Sequence, residues 1–250
     1  MAEPVRYDPA FFEALRALEA GSFWFRARNA MVMEAIERHF PLARDFAEIG
    51  CGTGFVLEGL AAGRPGLRLT GADAFSRGLA FARGRVSGAR FVRADARSLP
   101  FREAFDAVGA FDVLEHIDDD EAVLVEMAGA VKPGGGLLLT VPQHPRLWSP
   151  ADEQAGHVRR YSRKELIGKV RGAGFEVVAV TGFVSLLLPA LAALRLAKKR
   201  RPAGASLAGL ALPRALDAFL GAVMALERRV ILGGFSFPFG GSLFLAARRK

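Results

Sequence analysis

The sequence has 250 residues, 51% of them hydrophobic, with 34 Lys and Arg against 26 Asp and Glu. That length suits one large domain or a domain with a substantial insertion, and that apolar content excludes a globally disordered chain. The single cysteine, Cys51, excludes an internal disulfide framework or a cysteine-cluster metal site and fits a reducing cytoplasm.

The net charge of +8 is unevenly placed. From Thr181 onward eleven basic side chains face two acidic ones, so the first 180 residues sum to −1. The basic character belongs to the C-terminal part, where it can mark an anionic surface as partner. No signal peptide is expected at the start, because Glu3, Asp8, Glu13 and Glu19 interrupt any apolar run.

Pro9–Ala20 has helical periodicity. The unusual run Ser22-Phe23-Trp24-Phe25-Arg26-Ala27-Arg28-Asn29 follows, then a second helical stretch to about Phe40, which Pro41 ends. From Asp45 short apolar runs alternate with amphipathic ones. Strands are expected at Phe46–Ile49, Leu67–Ala72, Ala89–Arg93, Phe105–Phe111, Gly136–Val141 and Phe175–Val180. Helices are expected to about Ala62, from Ser76, over Asp118–Val131 and from Ser162 to Ala173, the last opened by a capping box with Glu165. Lys132-Pro133-Gly134-Gly135 reads as a helix stop. Such alternation argues for an α/β fold with a parallel sheet covered on both faces, whose ligands sit beyond the carboxyl ends of the strands.

Glu48-Ile49-Gly50-Cys51-Gly52-Thr53-Gly54 comes directly after the first strand and opens a helix. Alternate glycines let the backbone turn sharply and approach a ligand without a Cβ in the way. A dinucleotide fingerprint needs glycine at the sixth position, but Phe55 or Leu57 stands there, which weighs against an NAD-dependent oxidoreductase.

The E-x-G-x-G-x-G run resembles the first motif of class I S-adenosylmethionine-dependent methyltransferases. Asp73 at the end of the second strand, Asp95 in Val92-Arg93-Ala94-Asp95-Ala96, the stretch from Phe105 through Asp112-Val113-Leu114-Glu115-His116-Ile117, and Val131–Gly136 continue the likeness over about residues 22–181. The resemblance implies a Rossmann-like seven-stranded sheet, mostly parallel with strand seven antiparallel, and S-adenosyl-L-methionine as cofactor. It implies that Gly50, Cys51 and Gly52 pass under the methionine part with Glu48 near its amino group. Asp73 and Ala74 would hold the ribose, Asp95 and Ala96 the adenine, and Asp112 would lie near the methionyl end. The aromatic-arginine N-terminus and Gly156-His157-Val158-Arg159-Arg160-Tyr161 resemble a bacterial type 11/12 branch. There Arg28 pairs either with the cofactor carboxylate or with a structural acid. A non-catalytic S-adenosylmethionine-binding protein of the same fold stays open as an alternative.

The polar segment after the fifth strand, about 142–161, is expected to overhang the cleft as a lid. His144 and His157 in it are the candidate general bases, because imidazole titrates near neutral pH. His116 reads as a packing or capping residue. Arg159, Arg160 and Tyr161 either fix the lid or bind an anionic acceptor. The expected reaction is displacement at the sulfonium methyl by an oxygen or nitrogen of an unidentified small-molecule, glycan or lipid-linked acceptor. No metal is expected to be needed, Asp118 and Asp119 reading as helix N-terminal acids, and no nucleic-acid partner is expected.

The organisation expected is a helical cap at 1–41, a cofactor-binding core at 42–182, a helical insertion at 183–239 and a final core strand at 240–250. Phe183–Leu194 is apolar and Lys198–Arg201 cationic. The insertion is therefore expected to wall the acceptor side. It either touches a membrane surface or lipid-linked acceptor at the inner membrane face, or packs on the domain or in a homodimer.

Overall fold

The structure, a computed structural model, describes residues 11–198 and 212–250. Three expectations fall outside those residues: the helix start at Pro9 and Ala10, the acids Glu3 and Asp8, and the cations Lys199, Arg200 and Arg201. The side chain of Lys198 lies outside them too.

Seven strands form one sheet in the order β3-β2-β1-β4-β5-β7-β6. They are β1 Asp45–Ile49, β2 Arg68–Asp73, β3 Arg90–Arg93, β4 Phe105–Phe111, β5 Val131–Pro142, β6 Phe175–Phe183 and β7 Ser242–Arg249. Pairings among β1 to β5 are parallel, while β7 runs antiparallel between β5 and β6. This is the Rossmann-like fold expected, with its reversed last strand.

The pleat explains the two-sided core. Neighbouring strand residues point to opposite faces. Ala47, Val108, Leu137 and Leu139 pack with Val123, Leu124 and Met127 of helix α5 (Asp120–Ala130) and Leu166 and Val170 of α7 (Arg163–Gly172). Phe46, Ala107 and Leu138 point the other way, onto Val32 and Ile36 of α2 (Phe23–His39), Leu57 and Leu60 of α3 (Phe55–Gly63) and Leu79 of α4 (Ser76–Arg85).

Several boundaries differ from expectation. Helix α2 starts at Phe23, so the aromatic-arginine run is helical, and α1 spans Phe11–Glu19. The Lys132–Gly135 turn lies inside β5. Its register jumps from Phe105 opposite Val131 to Ala107 opposite Gly136, with Gly134 at φ +73° absorbing the extra residues. The lid is not irregular throughout: it contains a 3-10 turn, Pro145–Leu147, and a short helix, α6, Pro150–Gln154.

Helices α8 (Leu188–Lys198) and α9 (Arg214–Leu232) follow β6. Asp217 of α9 accepts from the Phe23 amide at 2.6 Å and from Arg26 at 2.5 Å, and Arg228 pairs with Glu34 at 3.1 Å, which fixes α9 against α2. The expected acceptor-side wall is not built this way: no described residue of 183–239 lines the cavity beyond the strand ends.

Candidate functional site

A cavity of about 700 Å³ opens where the strand order reverses, beyond the carboxyl ends of β1, β2 and β4. Its floor is the turn after β1. Gly50 has φ +73° and Gly52 φ +50°, and a Cβ on Gly50 would stand 2.5 Å from the Val113 side chain. Any larger residue there would push Val113 or the turn itself into the cavity.

Glu48, at the end of β1, is 3% exposed, and its Oε2 has no hydrogen-bond partner among the described residues. Burial lifts its carboxyl well above the usual range, and the Arg28 guanidinium opposes that shift. Asp73, at the end of β2, accepts from the amides of Gly52 and Phe75, both at 2.8 Å. Burial raises its pKa as well, against those two amides. An ammonium beside Glu48 would supply the donor that its Oε2 lacks, and Asp73, held by two amides, keeps lone pairs for ribose hydroxyls, so the residues present fit S-adenosyl-L-methionine.

Most residues singled out in the sequence meet at this cavity. Arg28, Glu48, Gly50, Cys51, Gly52, Asp73, Ala74, Ala96, Asp112 and His157 all line it. Asp95 does not: Arg97 forks its carboxylate through Nε at 3.0 Å and Nη2 at 2.7 Å, leaving Ala94 and Ala96 as the wall where adenine was expected. His144 does not line it either. It sits at φ +64°, where its amide donates to the Tyr161 carbonyl at 3.0 Å and closes the base of the lid. Arg28 pairs with Asp112 at 2.5 Å and lies over the rings of Trp24 and Phe25, so it has a structural acid as partner while its side chain still lines the cavity. Burial pushes the Cys51 thiol up, away from nucleophilic use.

The lid is held by the very residues whose role the sequence left open. Arg160 donates to Asp152 at 2.8 Å and to the Gln143 carbonyl at 2.7 Å. Arg159 donates to the Asp118 carbonyl at 2.7 Å, and the fully buried Tyr161 donates to Asp120 at 2.6 Å. These side chains fix the lid rather than await an anion.

Sequence reasoning missed three residues here. Asp152, 1% exposed, gathers Ser149, His157 and Arg160. His116, assigned to packing, lines the cavity, and burial lowers its pKa to about 4. Glu115 is 1% exposed with neither carboxylate oxygen hydrogen-bonded among the described residues, and burial, then the nearby Asp112 charge, holds its carboxyl well above the usual range. Only the fold brings 115–116 next to 152–157; no spacing in the sequence signals it.

Known proteins resemble the chain in the same region. Residues 47–139 match a family model described as a methyltransferase domain, the class that uses S-adenosyl-L-methionine. The ubiquinone biosynthesis O-methyltransferase of Stutzerimonas stutzeri is 31% identical over 129 residues, covering 48% of this chain and 55% of that protein. The chain thus spans little more than half the length of that curated relative. Phosphoethanolamine N-methyltransferase 2 of Haemonchus contortus, solved in complex with S-adenosyl-L-methionine, superposes with a TM-score of 0.64 at 18% identity, over 99% of this chain and 58% of that one. The [4+2]-cyclase SpnF superposes at 0.60 with 23% identity, over 90% and 82%. At such identities the superpositions speak to the fold alone.

Proposed function

We propose that this chain, whose residues 47–139 match a methyltransferase-domain model, transfers the methyl group of S-adenosyl-L-methionine to an oxygen or nitrogen of a small acceptor. The observation that carries the reading is the pair of buried carboxylates, Glu48 and Asp73, facing one cavity across the glycine turn. Glu48 takes the methionyl ammonium, Asp73 and Ala74 the ribose, and Ala96 the adenine edge, while Asp95 braces that wall through Arg97. Gly50, Cys51 and Gly52 carry the chain beneath the methionyl part. Arg28 and Asp112 act as one unit that closes its far end.

The transfer is a single displacement. An acceptor lone pair forms the new bond to the methyl carbon, the carbon–sulfur bond breaks, and its electrons return to sulfur as S-adenosylhomocysteine leaves. The protein's part is to align the two partners and exclude water. Activation of the acceptor falls to His157 with His116 beside it, since His144 is outside the cavity. The lid and the aromatic-arginine helix match the type 11/12 branch by their residues, and we assign the chain there.

Helix α9 serves as an apolar contact surface, and no described residue of 183–239 lines the cavity. Leu216, Phe219, Leu226 and Val230 of α9 are exposed at spacings of three, seven and four, one stripe of the helix. Among the described residues no helix is long and apolar enough to cross a membrane, so the contact proposed is peripheral, with a lipid surface or lipid-linked acceptor.

A fold shared with a cyclase does not by itself assign chemistry. The test is radiolabelled methyl transfer into fractionated extract, with lipid, glycan, protein and small-molecule fractions counted separately, beside calorimetric titrations with S-adenosylhomocysteine and NADH. Label in one fraction with S-adenosylhomocysteine binding is expected. Cofactor binding with no label in any fraction would instead favour a binding protein, and NADH binding alone an oxidoreductase.

A further inference from the structure

Three side chains at the lid end of the cavity have the composition of a transition-metal site. Glu115 ends two residues short of Ile117 on the turn after β4, and both its oxygens are buried without a hydrogen bond among the described residues. A buried carboxylate in that state lacks the cation or donors that normally accompany it. The Arg28 and Arg160 charges act on it without a hydrogen bond to either oxygen among the described residues, and the groups beside it are imidazoles. His116 and His157 meet edge to face with ring centroids 4.9 Å apart. One ligand atom from each of Glu115, His116 and His157 lies within 4.8 Å of the other two.

The proton placement on the rings suits ligation. His116 Nδ1 stands 3.2 Å from the Gly156 carbonyl, and His157 Nδ1 3.2 Å from Asp152 Oδ1. Both partners only accept, so each neutral ring carries its proton on Nδ1 and presents its lone pair at Nε2. Metal-binding histidines are oriented in this way by an outer carbonyl or carboxylate. Asp152 is itself immobilised, accepting from the Ser149 amide and hydroxyl and from Arg160.

We propose that Glu115, His116 and His157 bind one divalent transition-metal ion of the zinc class, with its remaining coordination open to the cavity. Two imidazoles and one carboxylate are the donor set of open zinc and related sites, whereas magnesium and calcium favour an all-oxygen shell. A tetrahedral ion spaces ligands roughly 3.4 Å apart, so from atoms within 4.8 Å of one another loading draws the widest pair together by at most about 1.4 Å. With the ion bound, His157 and His116 would act on the acceptor through it and not as bases: the ion would bind the acceptor oxygen and lower its pKa, so that its proton leaves to solvent before the lone pair attacks the methyl. That consequence rests on the methyl-transfer reading; the ion site does not.

The test is calorimetry of the chelator-stripped full chain with Zn²⁺ alone, and visible absorption with Co²⁺ alone. One equivalent is expected, with a cobalt spectrum of low coordination number. Glu115→Gln, His116→Ala and His157→Ala are each expected to weaken binding at least 100-fold, Asp152→Asn about 10- to 100-fold, and His39→Ala and His144→Ala not at all. Glu115→Gln keeps the shape of the buried side chain and His157 sits on the lid, so those two variants carry the test if His116→Ala fails to fold. Absence of stoichiometric binding in the unaltered chain, or binding that survives His157→Ala, would overturn the site. S-adenosylhomocysteine is titrated into the same samples. Binding of it without zinc sinks the ion site alone, and zinc without it sinks the methyl-transfer reading alone.

Discussion

Arg28 of α2 and Asp112 at the end of β4 form a 2.5 Å ion pair that ties the N-terminal helix to the cavity rim. Both are largely buried, at 10% and 18% side-chain exposure, and Asp112 holds φ +57° to reach the guanidinium. The arginine also lies 4.8 Å from the Trp24 ring and 5.3 Å from that of Phe25. Left-handed backbone is uncommon outside glycine, so the pair and its aromatic cover must hold that conformation in place. Asp112→Ala leaves the guanidinium unpaired in a desolvated setting and is expected to cost about 2–4 kcal/mol in urea denaturation. Arg28→Lys should lose the stacking and destabilise too. Unchanged midpoints for both would mean that the pair contributes nothing to holding α2, which its core packing and α9 would then secure.

Asp73→Ala is expected to weaken S-adenosylhomocysteine binding by about 1.5–3 kcal/mol, because ribose hydroxyls lose a charged acceptor. The sign of the pH dependence follows from burial. Desolvation raises the Asp73 pKa above 3.8, so its ionised form costs folding stability that acid restores, while acid removes the acceptor that the ligand needs. Affinity should therefore begin to fall, on acidification, above the ordinary carboxylate range. Calorimetry across pH on the unaltered chain and on Asp73→Asn measures this, and equal slopes for the two would remove Asp73 from the site.

The two tryptophans should report differently on cofactor binding. Trp24 lines the cavity, whereas Trp148 does not, its indole donating to Glu153 at 3.1 Å. Intrinsic fluorescence should change on saturation in Trp148→Phe and stay flat in Trp24→Phe. The opposite pattern would mean that the lid, not the N-terminal helix, closes on the ligand.

Sheet and glycine turn were legible because both are local. Short apolar runs between amphipathic ones mark β1 to β6, and the Gly50–Gly54 spacing admits few backbone paths. The place of Asp73 and Ala96 at the cavity was legible for the same reason, Asp73 ending β2 and Ala96 following β3 closely. Glu115 was not, since an acid ahead of a helix has an ordinary capping reading, and its lack of partners exists only in three dimensions. Asp95 misled because a strand-end acid says nothing about an arginine two residues on that can fork it. The insertion misled because an apolar run with cations does not say which wall it faces, and α9 turned to α2 instead.

His157→Ala is expected to cut turnover by roughly 10²–10⁴ on whichever acceptor takes label, with S-adenosylhomocysteine affinity kept within a few fold. His144→Ala should do much less, because that ring lies outside the cavity. Equal losses for both variants would show that the lid's fold, rather than His157 itself, is what the substitutions disturb. Circular dichroism and melting of each variant separates those two cases.

The stripe on α9 supports the last prediction. Phe219 is 63% exposed and Leu226 56%, and they share a helix face with Leu216 and Val230. Asp217, which anchors the helix to α2, points the other way and is buried. Phe219→Asp with Leu226→Asp should thus leave the fold and cofactor binding intact, since neither side chain contributes to the core, while removing apolar area that is worth about 25 cal/mol per Å² when covered. Co-sedimentation with vesicles containing anionic lipid at low salt should be lost in the double variant and retained in the unaltered chain. If the unaltered chain does not sediment but sizes as a dimer that the double variant breaks, the stripe is a contact between copies and the peripheral membrane reading is withdrawn.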